Sequence, residues 1–66
     1  MSVVKVIELS AESEKSFEDA IQQGIKKADK SVENLKSAWV KDQEVLLNGG
    51  NVKGYRVNLK LSFQVD

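Results

Sequence analysis

Tyr55-Arg56-Val57-Asn58-Leu59-Lys60-Leu61-Ser62-Phe63-Gln64-Val65 is the stretch whose reading decides the fold. Tyr55, Val57, Leu59, Leu61, Phe63 and Val65 fall on one face, and Arg56, Asn58, Lys60, Ser62 and Gln64 on the other. Strict period-2 alternation of this length predicts a strand with one side buried. Just before it stands Asn48-Gly49-Gly50-Asn51, the strongest turn signal in the chain, because Gly and Asn tolerate positive φ. Before that turn, Ser37 to Leu47 carries Val40, Val45, Leu46 and Leu47 and reads as a second strand. The two strands form a long antiparallel hairpin.

Working further toward the N-terminus, the period changes. Phe17, Ala20, Ile21, Gly24, Ile25, Ala28, Val32 and Leu35 recur at spacings of three and four, the apolar stripe of a helix expected over 13–34. Glu18, Gln22, Lys26, Asp29, Lys30 and Glu33 make its opposite face. Ser13 or Ser16 is the expected N-cap, and Asp19 three residues after Ser16 echoes a capping box. Gly24 inside the stripe implies a close approach, since Gly costs roughly 1 kcal/mol against Ala in a helix interior. A helix of about 20 residues would be about 30 Å long and would lie across a sheet. Val3-Val4-Lys5-Val6-Ile7-Glu8-Leu9 is rich in β-branched residues and reads as a first strand, with 10–13 as a polar turn. The expected fold class is α+β: a single β-α-β-β domain over 1–66, with one long helix on a three-stranded antiparallel sheet.

Composition closes off several functions. Ten Lys and Arg balance ten Asp and Glu, and the 66 residues include no His, Cys or Pro. Thiolate or imidazole metal sites, Cys nucleophiles and Ser–His systems are therefore excluded. No disulfide framework is available, which argues against a small secreted scaffold. Zero net charge argues against nucleic-acid and anionic-membrane partners. No apolar run approaches the roughly 20 residues needed to span a bilayer, and no signal-peptide pattern is present. A cytoplasmic, non-enzymatic protein is expected. Gly49-Gly50 lies between strands and opens no helix, so it is a turn and not a phosphate loop.

Length poses a further problem. A domain of about 60 residues buries only about 60% of its unfolded surface, and without disulfides or metal such chains commonly associate. With 41% apolar residues to bury, self-association is expected. One helix also leaves the second face of the sheet uncovered, open to solvent, a partner or a ligand.

Several strings carry a family resemblance. They are Val4-Lys5-Val6-Ile7-Glu8-Leu9, Ser16-Phe17-Glu18-Asp19-Ala20, Ser31-Val32-Glu33-Asn34, Val40-Lys41-Asp42-Gln43 and Tyr55 to Phe63. In this order and spacing they resemble the dodecin family along nearly the whole chain. The resemblance implies a hollow homododecamer that stores a flavin (riboflavin, FMN or FAD) without catalysing a reaction. In the family, a tryptophan at the start of the second strand stacks on the flavin ring, and a glutamine on the third strand bonds the ring edge. Here Ser37 holds the tryptophan position and Arg56 the glutamine position. The one tryptophan, Trp39, lies two residues on, on the same face and about 6.6 Å along the strand. This combination resembles the calcium-dodecin branch, which lacks the stacking tryptophan.

The candidate ligand-binding residues are thus Trp39, Arg56, Ser37 and Gln43. Trp39 reads either as a stacking platform for an aromatic ligand or as an anchor between subunits. Arg56 reads as a fork for phosphate, a cation over Trp39, or one half of an intersubunit ion pair with Asp42 or Glu44. Asp42 and Glu44, with Glu8 and Asp66, are the candidate oxygen ligands for calcium. Ca²⁺ takes six to eight oxygens, which one short chain supplies only in part.

Overall fold

A computed structural model describes residues 2–66. The chain runs β1 (Val4–Ser13), α1 (Phe17–Asp29), β2 (Leu35–Asn48) and β3 (Asn51–Gln64), the expected β-α-β-β order. The sheet order is β1-β3-β2, and both ladders are antiparallel. The strictly alternating strand is therefore the central one, paired along both edges. That position explains why its inward residues Val57, Leu59 and Leu61 are the largest fully buried side chains.

The element boundaries differ from the sequence reading. β1 continues through 10–13, because Ala11 turns inward under the helix while Ser10 and Glu12 face out. The helix has 13 residues, about 20 Å at 1.5 Å per residue. It stops at Asp29: the amides of Ser31 and Val32 both donate to the Ala28 carbonyl, and Asn34 reverses the chain at φ 63°. Leu35 keeps the helical spacing but packs on the core from β2, opposite Phe63. β3 begins at Asn51, directly after a two-residue Gly49-Gly50 turn with Gly49 at φ 64°. Val65, expected on the inner face, lies beyond the end of β3 and is exposed.

Both serines proposed as caps are used, for different tasks. Ser16 is the N-cap, its hydroxyl accepting from the Asp19 amide at 2.9 Å. The Asp19 carboxylate does not reach back to Ser16 as in a capping box. It accepts from the Ser13 hydroxyl at 2.6 Å, which holds its pKa below the ordinary carboxylate value.

Ala20, Gly24 and Ala28 are the buried residues of α1 and let it sit close to the sheet. The core contains Ala20, Ala28, Val57, Leu59 and Leu61. Ile7, Leu9, Ala11, Phe17, Ile21, Ile25, Leu35 and Val40 surround it, partly buried. Phe17 meets Tyr55 edge-on, with centroids 5.0 Å apart. The unit is elongated, 49 × 19 × 14 Å, with a radius of gyration of 13.5 Å. A self-contained domain of this length has about 11 Å. The excess comes from the hairpin, whose exposed Val45, Leu47 and Val52 no helix covers. No helix among the described residues is long and apolar enough to cross a membrane.

Candidate ligand-binding site

The face of the sheet away from α1 is built of rows that cross all three strands, set by register. From the hairpin end they are Glu12–Arg56–Glu44, Ser10–Asn58–Asp42, Glu8–Lys60–Trp39 and Val6–Ser62–Ser37. A β-bulge between Val40 and Asp42 inverts the alternation of β2. It places Asp42 and Glu44 on the same face as Trp39, and Gln43 opposite the inward-facing Val57.

The first two rows are closed by their own hydrogen bonds. Arg56 donates through Nε and Nη2 to Oε2 of Glu12, at 2.8 and 2.7 Å. Through Nη1 it donates to Oε1 of Glu44 at 2.9 Å. The two carboxylates raise the guanidinium pKa above its ordinary value. In the next row the Ser10 hydroxyl donates to Asn58 Oδ1, and Asn58 Nδ2 donates to Asp42. Lys41, turned outward by the bulge, reaches across β3 to Glu8 at 2.7 Å. That contact lowers the Glu8 pKa and raises that of Lys41.

The last two rows are different. Trp39 is 64% exposed, with the Lys60 ammonium 5.2 Å from its ring centroid. Ser37 and Ser62 share a 2.6 Å hydrogen bond beside it. Val6, Ser37, Trp39, Lys60, Leu61 and Ser62 line an open recess of about 370 Å³. That lies within the range of small-molecule sites, about 300–1,000 Å³. The recess combines an aromatic face, an apolar floor and hydroxyls at one edge.

This fold and chain match a known family over almost their full length. The family model described as Dodecin covers residues 3–66. The chain belongs to the dodecin family. It is 32% identical over 65 residues to the calcium dodecin of Mycobacterium tuberculosis, covering 98% of this chain and 92% of that one. Among solved structures, a dodecin from Streptomyces davaonensis superposes with a TM-score of 0.92 at 26% identity, over 98% of this chain and 96% of that one. The crystal structure of the M. tuberculosis calcium dodecin, described as calcium chelating, superposes with a TM-score of 0.84 at 32% identity, over 98% and 93%.

Within this dodecin the four candidate ligand residues separate. Ser37 and Trp39 sit side by side in the recess. Arg56 is on the same face, but Asn58 and Asp42 lie between its row and that of Trp39. The cation over the indole is Lys60, not Arg56. Arg56 and Glu44 form an ion pair within the chain, and Asp42 is bonded to Asn58. Gln43 is exposed on the helix side of the sheet, away from the other three.

The oxygen-ligand candidates are likewise dispersed. Asp42, Glu44 and Glu8 each accept a hydrogen bond from a neighbour on the open face, and Asp66 accepts from the Val3 amide and Gln64. Among the described residues no group of three or more carboxylates is arranged to hold a metal ion. The sequence reading did not single out Val6, Lys60 and Ser62. Lys60 was legible in principle, because counting back along the hairpin from Gly49-Gly50 sets it opposite Trp39.

Proposed function

We propose that this dodecin is a non-catalytic protein that binds and stores a flavin (riboflavin, FMN or FAD) in the Trp39 recess, as a homododecamer in the cytoplasm. The observation that carries the reading is Trp39 itself. An indole 64% exposed on a mostly polar sheet face, beside the exposed Val6, is a platform without a second wall. A planar aromatic ligand stacks there by offset π contact. The second wall belongs to a neighbouring copy, which also covers the exposed apolar residues that one helix leaves bare. Ser37 and Ser62 supply donors and acceptors to the ring edge. Arg56 keeps its two carboxylates and stays outside the ligand contact. Protein purified without added ligand should be yellow, with a mass near twelve chains by light scattering. A colourless preparation that takes up no added flavin would contradict the reading.

One observation favours a second function. Identity to a calcium dodecin at 32% over 65 residues supports cation binding by Asp42 and Glu44, completed across a subunit interface. Calcium would then raise the melting temperature by mass action on the folded state. A melting curve indifferent to both millimolar calcium and chelator would remove this alternative.

A further inference from the structure

We infer that Lys60 is a specificity-determining residue of the recess, selecting anionic over neutral aromatic ligands. The inference rests on the stacking role of Trp39. Three cations occupy the open face near the recess. Arg56 is held by Glu12 and Glu44, and Lys41 by Glu8. The carboxylate that register places beside Lys60 is Glu8, and Lys41 has taken it. Lys60, in no ion pair among the described residues, instead lays its ammonium over the indole at 5.2 Å.

Two consequences follow for a ligand. The ammonium occupies the ring face on which an aromatic plane would stack, so entry displaces it. A cation–π contact at an exposed site is worth about two- to five-fold in an equilibrium, and a neutral ligand forfeits that factor. The displaced ammonium stays tethered beside the recess on a flexible four-carbon stem. There it meets whatever charge the ligand carries, and a negative group recovers what the indole lost. The recess therefore discriminates by ligand charge even though Arg56 takes no part.

Riboflavin and FMN are suitable probes, since they share the ring system and differ in one phosphate. Both are titrated by fluorescence quenching against wild-type protein, Lys60→Met, which keeps most of the stem, and Lys60→Arg, which keeps the charge. Lys60→Met should bind riboflavin about two- to five-fold more tightly and lose preference for FMN, and Lys60→Arg should retain that preference. Equal FMN-to-riboflavin ratios in wild type and Lys60→Met overturn the role of Lys60 and leave stacking intact. Failure of the wild type to bind either flavin overturns stacking and this inference together. The covering of Trp39 is tested without ligand, because the chain has one tryptophan. Iodide quenching relative to acrylamide should fall in Lys60→Met. An unchanged ratio places no ammonium at the ring and overturns the inference.

Discussion

Gly24 of α1 lies directly over Ala11 of β1, so close that a Cβ on Gly24 would stand 3.1 Å from the Ala11 Cβ. It would also meet Leu59 Cδ1 at 3.2 Å and Leu9 Cδ1 at 3.3 Å. The leucine tips can move, but the Ala11 Cβ is fixed to a paired strand. Overpacking of this kind costs about 1–3 kcal/mol. Alanine recovers roughly 1 kcal/mol of helix propensity. Gly24→Ala is therefore expected to destabilise by about 1 kcal/mol in urea unfolding. Gly50→Ala, which meets no atom within 4 Å, serves as the control and should change little.

Arg56 separates two carboxylates that would otherwise face each other across β3. Arg56→Met should lower the unfolding midpoint, because Glu12 and Glu44 lose their shared partner and repel. Both are exposed, so the loss should shrink at high salt as screening weakens the repulsion. A deficit equal at low and high salt would assign the effect to packing of the arginine stem.

The Glu8–Lys41 pair gives a pH dependence with a defined sign. The folded Glu8 pKa is lowered, so its contribution is complete above the unfolded carboxylate value of 4.5 and lost as pH falls through the lower folded value. The folded Lys41 pKa is raised, so its contribution is complete below 10.5 and lost as pH rises through the higher folded value. Glu8→Gln should flatten part of the acid limb of the stability curve, and Lys41→Met should alter both limbs. An acid limb identical in wild type and Glu8→Gln would show that the pair adds nothing to stability.

Most of the architecture was legible, for reasons visible in particular residues. The alternation from Tyr55 to Phe63 marks the central strand, and Gly49-Gly50 marks the turn. The stripe through Ala20, Gly24 and Ala28 marks the helix face. The helix end was not legible, because Val32 and Leu35 continue the helical spacing by coincidence after α1 has already ended at Asp29. The extension of β1 was hidden because Ser10, Glu12 and Ser13 resemble a turn by composition. They become a strand only through pairing with Asn58, Arg56 and Tyr55. In the candidate site, simple alternation would put Gln43 on the face of Trp39. The bulge at Lys41 reverses that, and nothing in the local sequence announces it. The bonds of Arg56 to Glu12 join residues 44 positions apart, a distance over which no local pattern carries information.

Trp39 decides between platform and anchor, and one titration tests it most directly. Riboflavin fluorescence is followed against wild-type protein and Trp39→Ala, with light scattering on both. Quenching is expected at micromolar wild-type protein, with its loss in Trp39→Ala and the same assembly mass for the two. Absence of quenching by the wild type, or collapse of the Trp39→Ala assembly to single chains, would contradict it.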